Sequence, residues 1–321
     1  MSAPVKTDVP PRRRPKRRRG AVNPRFTPYL FVGAALLFEL LVHLVPMASG
    51  VITSFFSLNQ YFIRQWFHAP FAGLDNYRVA LDFDTSVGSA LLHSFLVTIA
   101  YALVVVASSW ALGFAGAVTL QRSFRGRGWL RTVFLIPYAM PVFAGVIVWS
   151  FMFQREGGLV NKLLVDTLHL FEEQQFWLLG DKAFFAAATV AIWRTWPFAF
   201  LSITAGLQSI GDDVYEAASI DGANSWKQIR HITLGLLRPV NAVLILMMFL
   251  WSFNDFNTAF VLFGETPPKS MDVITIHVYS TSFHTWEFGL GSAMSVLALL
   301  FLLVVTGGWL AWNRRGERNE K

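Results

Sequence analysis

No cysteine occurs among the 321 residues, which excludes disulfides, thiolate metal sites and cysteine nucleophiles. Charge is scarce: Asp, Glu, Lys and Arg make up 15% of the chain, where soluble domains carry about 25%. A Gly-rich phosphate loop ending in Lys-Ser or Lys-Thr is missing too, so ATP is not held by that motif. His68, His93, His169, His231, His277 and His284 are scattered without metal-ligand spacing, and no metal is assigned to them. What the chain has is apolar surface, 54% by composition with a mean hydropathy of +0.45. These proportions describe a membrane protein rather than a soluble domain.

A bilayer-spanning helix needs about 20 predominantly apolar residues. Six such runs are present, at 29–58, 89–120, 130–153, 183–207, 240–263 and 288–312, predicting an all-α, six-span polytopic fold with a kink near Pro46. The formal charge of +7 is unevenly placed. Nine basic residues precede Phe26 against Asp8 alone, so the remainder of the chain carries −1. A nucleic-acid-binding body would carry its cations on the folded domain, so no nucleic-acid partner is expected. Segment 1–26, rich in Arg and Pro with little to bury, is expected to be a disordered tail. Two readings of Arg12 to Arg19 stand: a topogenic anchor, or a binder of anionic lipid or nucleic acid. A cleaved signal peptide is not expected, because the first apolar run is far longer than an h-region.

Lys and Arg concentrate in cytoplasmic loops. One side of the six spans collects 20 of them and the other 6, with Arg194 left inside a span. Both termini, including a short tail at 314–321, are therefore expected in the cytoplasm. Between the third and fourth runs, Leu159, Val160, Leu163, Leu164 and Leu168 have the spacing of a short amphipathic helix on the outer surface.

The polar connection at 209–239 carries its own helical punctuation. Asp213 with Glu216 predicts a capping box, Gly222 a stop, and Asn224 or Ser225 a restart; Trp226, Ile229 and Ile232 then share one side of a second helix. Glu216, Ala217, Ala218, Gly222, Ile232 and Leu234 fall on the spacing Glu-Ala-Ala, three residues, Gly, nine residues, Ile, one residue, Leu. This spacing resembles the EAA signature of membrane subunits of binding-protein-dependent ABC importers, with Gly235 where the family has Pro. The resemblance implies that the first short helix, with Glu216, Ala217, Ala218, Asp221 and Gly222, couples to a separate ATPase subunit that binds the ATP and magnesium, this chain having no cofactor of its own.

Arg194 and Asp255 lie within spans, where each costs roughly 2.5 to 3.5 kcal/mol at a helix centre. Together, about 5 to 7 kcal/mol approaches the whole stability of a typical protein, so they face a cavity or each other. A salt bridge and a polar, aromatic-lined pathway are both open. Leu135 to Pro141, Trp193 to Phe198, Trp251 to Asn257 and Phe288 to Ser295 are similar to carbohydrate-uptake permeases of the maltose type. That resemblance covers about 29–312. It implies solute contact at Tyr138, Val142, Ala191, Arg194, Thr195, Phe198, Trp251, Ser252 and Asp255, with Asn254 beside them. Val142, Ala191, Arg194 and Asp255 differ from the maltose pattern, which puts maltose itself in doubt and admits a charged or polyhydroxylated solute.

The implied assembly is a permease domain at 27–313 in the bacterial inner membrane, working with a second permease in a heterodimer, two ATPases and an extracytoplasmic solute-binding protein. A transport subunit is expected, not an enzyme. Two rivals stand: a secondary transporter driven by ions through Glu39 or Asp255, and an integral-membrane enzyme, which would need the acids clustered. Glu39 and His43, one turn apart, admit a proton relay, a mutual hydrogen bond or contact with a partner subunit. Gly289, Gly291, Ser292, Ala293 and Ser295 form a small-residue face suited to close helix packing.

Overall fold

The computed structural model describes residues 27–319 apart from residue 122. The tail at 1–26, and with it both readings of Arg12 to Arg19, lies outside the described residues, as do residues 320–321. Two compact units divide at Gly50.

The first unit holds α1 (Thr27–Glu39), which passes through a π-helical turn (Leu40–Leu44) into the start of α2 (Val45–Thr53). The wide turn has a local cause. Pro46 has no N–H to give Val42 and its ring crowds that carbonyl, so the preceding turn opens and Val45 N–H reaches back to Leu40 O. Phe31–Thr53 is long and apolar enough to cross a membrane. Glu39 and His43 bond to each other at 3.2 Å across the wide turn.

In the second unit the helix of the first run ends at Thr53, not at residue 58. Residues 54–58 instead pair with a return segment: Phe56 bridges Phe71, and the Asn76 amide donates to Ser54 O and Phe56 O. Next come α3 (Asp75–Leu81) and α4 (Ser86–Thr119), which Thr85 caps by accepting Gly88 N–H. Leu91, Ser94, Thr98, Ala102, Val105, Ser109, Gly113 and Ala117 make a buried stripe along α4 at three- and four-residue spacing. Most are small, which lets α8 (Lys182–Leu207) approach closely. At Gly113 the approach is extreme: a Cβ there would lie 2.6 Å from Ala199 Cβ and 2.7 Å from Phe200 N.

The third run is not a continuous span. It is α5 (Arg127–Ala139) and α6 (Val142–Met152), which meet at 93°. Pro141 supplies no helical N–H and drives Met140 into an extended conformation, so the break falls between them. The amphipathic segment between the third and fourth runs forms as α7 (Leu159–Asn161) and a π-helical turn (Lys162–Thr167). Its inner face carries Asn161 and Val165, while Leu159, Leu163 and Leu168 stay exposed.

After α8, the polar connection folds as helix, bend, helix. α9 (Asp212–Ile220) is followed by α10 (Ser225–Lys227), a π-helical stretch (Gln228–Thr233) and α11 (Leu234–Leu236). The expected capping box does not form. Gly211, extended and without a side chain, is the N-cap, which moves Asp213 into the first turn. Gly222 stops the helix at φ +79°, and Asn224 Oδ1 accepts Lys227 N–H at 2.9 Å to restart it. Trp226 does not join Ile229 and Ile232 against the fold; it is 67% exposed.

The fifth run is also interrupted: α12 (Arg238–Phe253) gives way to α13 (Phe256–Phe263) at Asn254–Asp255. Asp255 Oδ1 accepts Thr258 N–H, an N-cap that competes with continuing the helix. α14 (Ile274–Tyr279) and α15 (Phe288–Asn319) complete the chain, α15 running on through the segment expected to be a terminal tail. The small-residue face of α15 is used at two points. A Cβ on Gly289 would meet Phe56 O at 2.1 Å, and one on Gly291 would meet Ser282 Oγ at 2.0 Å. Among the described residues, five helices are long and apolar enough to cross a membrane, and the bent pair α5–α6 is a sixth where its two halves are counted as one span.

Candidate solute site and coupling loop

Both helix breaks open onto one cavity of about 340 Å³. Tyr138 and Val142 reach it from either side of the bend at Pro141, Asn254 and Asp255 from the break in the fifth span, and Ala191, Arg194, Thr195 and Phe198 from the middle of α8. Trp251 and Ser252 close it from the end of α12. All the sequence-selected pathway residues thus converge from three stretches distant in the chain. Met140 and Asn257 also line the cavity and were not singled out; each neighbours a break, which is the signal that would have found them.

The aromatic side of the cavity is a continuous strip. The ring of Phe198 lies 6.0 Å from Tyr138, nearly parallel to it, and 4.8 Å from Trp251. Tyr138 and Trp251 remain about half exposed. The amides of Asn254 and Asn257 and the hydroxyls of Thr195 and Ser252 line the same cavity.

Arg194 and Asp255 do pair, Nη2 to Oδ2 at 3.2 Å. The carboxylate is held from below as well: Tyr101 OH donates to Oδ2 at 3.0 Å and Thr258 Oγ1 at 2.7 Å. Four donors leave Asp255 only 4% exposed at its side chain, while Arg194 is 23% exposed. The salt bridge and the cavity lining are therefore one arrangement, in which the acid is buried and the guanidinium edge faces the cavity. Tyr101 and Thr258 were not anticipated. Thr258 was findable as the third residue after an Asp at a break; Tyr101, 154 positions from its partner, was not.

The loop of EAA spacing presents a mixed surface. Glu216, Ala217, Asp221 and Gly222 are exposed and Ala218 is half-buried. Ile220, a large apolar residue, is 87% exposed beside them. The loop's inner side is fastened by groups the sequence did not flag. Tyr215 OH bonds Thr233 Oγ1 at 3.1 Å, and Gln228 Nε2 donates to Ser219 Oγ at 2.9 Å and Ala223 O at 3.2 Å. Two short helices that would be marginal alone are thereby joined.

Residues 105–318 match the family described as binding-protein-dependent transport system inner membrane component. The chain is 33% identical over 262 residues to the inner membrane ABC transporter permease protein YcjO of Escherichia coli K12, covering 81% of this chain and 85% of that protein. It is 34% identical over 238 residues to the trehalose/maltose transport system permease protein MalF of Thermococcus litoralis, covering 74% and 78%. Its fold is similar to a chain in the crystal structure of a bacterial ABC transporter that imports the acidic polysaccharide alginate, with a TM-score of 0.76 at 18% identity, covering 90% of this chain and 96% of that one.

Proposed function

The chain belongs to the family of binding-protein-dependent transport system inner membrane components, and on that premise we propose that it carries a sugar or a related polyhydroxylated solute through the cavity at its two helix breaks. As a permease of an ABC importer it is a transport subunit. The observation that carries the sugar reading is a cavity lined by an aromatic strip together with amides and hydroxyls. Sugars present apolar ring faces and hydroxyl edges, and this lining offers stacking to one and hydrogen bonds to the other. The trehalose/maltose permease among its relatives supports the same class.

Energy comes from outside the chain. Two partner ATPases bind ATP and magnesium, and α9 docks in a groove on one of them through Glu216, Ala217 and Ile220, with Ala218, Asp221 and Gly222 shaping the helix and its end. The small side chains permit close approach, and Ile220 gains burial it lacks here. ATPase closure moves α9 with the helix that Gln228 fastens to it. The breaks at Pro141 and Asn254–Asp255 let half-helices tilt about the cavity instead of bending whole spans. A second permease completes the pathway as a heterodimer, an extracytoplasmic binding protein delivers solute, and both termini face the cytoplasm.

Uptake of a labelled disaccharide by cells carrying the complete transporter tests this. Trp251→Ala removes one stacking surface, and half-saturation rises about tenfold; Glu216→Lys abolishes both uptake and co-purification of the ATPase. Unchanged uptake in both variants sinks the reading. The rival ion-driven carrier is favoured instead if ionophores stop uptake while an inactive ATPase does not; its candidate acids are both engaged, Glu39 with His43 and Asp255 with Arg194.

A further inference from the structure

A second cavity, of about 360 Å³, lies where the C-terminal ends of α4 and α8 meet the N-terminal ends of α5 and α9. It has no aromatic lining. Its polar groups are Gln121, Arg127, Arg131, Thr204, Gln208 and Asp212. Arg127 and Arg131 are half-buried, one turn apart at the start of α5, and neither has a carboxylate partner among the described residues.

Left to themselves, these arginines are badly placed. Like charges four residues apart on a helix repel, and both stand at the end of α5 where the helix dipole is positive. The end of α4 offsets part of this: Arg127 Nη1 donates to Gln121 O at 3.1 Å and Arg131 Nη2 to Leu120 O at 3.3 Å. A guanidinium carries five N–H donors, so most are unused. Arg131 Nε and the Thr204 hydroxyl are buried without any hydrogen-bond partner among the described residues. Two cations facing the single carboxylate of Asp212 leave the cavity with one net positive charge.

We propose that this cavity binds a phosphate group, and that the phosphate belongs to the headgroup of an anionic phospholipid. Phosphate oxygens match the planar donor array of arginine and neutralise the repelling pair. Headgroup hydroxyls would donate to the Asp212 carboxylate, while Gln121 and Gln208 supply further polar contacts. The lipid source follows from position. The cavity lies at the ends of α4 and α8, both long and apolar enough to cross the membrane, beside arginines of the connecting loop, where headgroups gather. Asp212 also opens α9, so the bound headgroup braces the root of the coupling loop.

The test uses the full chain purified in a nonionic detergent. Native mass spectrometry and thermal unfolding are followed with phosphatidylglycerol, phosphatidylcholine and inorganic phosphate. Arg127→Gln is compared with Arg125→Gln, an exposed arginine outside the cavity that reports non-specific attraction. Arg131 is left in place because it closes the end of α4; Thr204→Val is the second probe, similar in shape and uncharged. One phosphatidylglycerol should bind in preference to phosphatidylcholine and raise the unfolding temperature. Its affinity should fall about tenfold in Arg127→Gln, less in Thr204→Val, and not in Arg125→Gln. Protection by inorganic phosphate that Arg127→Gln removes, without lipid binding, overturns the lipid source. Equal phosphatidylglycerol binding by wild type, Arg127→Gln and Thr204→Val, or no binding by either ligand, overturns the site.

Discussion

Replacing Asp255 with Asn tests the buried pair with almost no change of shape. Oδ2 accepts from Tyr101, Thr258 Oγ1 and Arg194, while Oδ1 caps α13 through Thr258 N–H. An amide has one accepting oxygen. Placed at Oδ2 it turns its NH₂ toward the Thr258 N–H and loses the cap; placed at Oδ1 it faces three donors with another donor. In either orientation Arg194 loses its counter-charge. Breaking a buried pair by removing one partner costs about 3 to 5 kcal/mol, and the partial exposure of Arg194 argues for the lower end. Adding about 1 kcal/mol for the weakened cap gives about 4 kcal/mol. At about 2 °C per kcal/mol for a chain of this size, the unfolding temperature falls by about 8 °C. Tryptophan fluorescence of the detergent-purified chain during heating reads this directly. Adding Arg194→Met removes the stranded cation, so the double variant should recover about 2 kcal/mol relative to Asp255→Asn alone. If Asp255→Asn unfolds with wild type, or the double variant shows the two losses simply added, the pair does not stabilise this junction as argued.

Gly113→Ala sets two effects against each other. Helix propensity favours Ala by about 1 kcal/mol, but the new Cβ meets the backbone of α8, and overpacking of about 1 to 3 kcal/mol should win; a higher unfolding temperature would contradict that. Asn161 gathers the loop between α6 and α8, donating to Gln154 O, Arg155 O and Gln175 O and accepting from Gln175 N–H and Trp177 Nε1–H. Asn161→Ala strands these last two donors, costs about 2 to 4 kcal/mol, and should hasten proteolytic cleavage of residues 154–179. Gln228→Ala cuts one of the ties between α9 and the helix that follows it, so amide exchange across α9 should quicken about tenfold with little change in global unfolding.

The spans were legible because the bilayer imposes a length and a composition that any apolar run reveals. Helix ends within the loop of EAA spacing were partly legible. Gly222 and Asn224 act through intrinsic conformational preference and behaved as their types suggest, whereas Asp213 lost the cap to Gly211, a choice between adjacent residues that spacing does not settle. Trp226 misled in another way: periodicity grouped it with Ile229 and Ile232, yet the fold offers its ring nothing to pack on. The two breaks were harder to read. Pro141 sits inside an apolar run that hydropathy scores as unbroken, and Asp255 ends α12 only because Tyr101, Thr258 and Arg194 hold its carboxylate at that point.

Sequence alone determined that this chain is an all-helical membrane protein with six apolar runs, a basic tail and a loop of EAA spacing. Those properties are local: each depends on residues within a turn or two, or on a run matched to the bilayer. Only the tertiary structure decided that Arg194 pairs with Asp255 while still edging the cavity, that the aromatic strip continues from Tyr138 through Phe198 to Trp251, and that Arg127 and Arg131 face a polar cavity with donors to spare. These depend on which helix ends meet. The small residues along α4 permit that meeting, and side chains more than a hundred positions apart complete it.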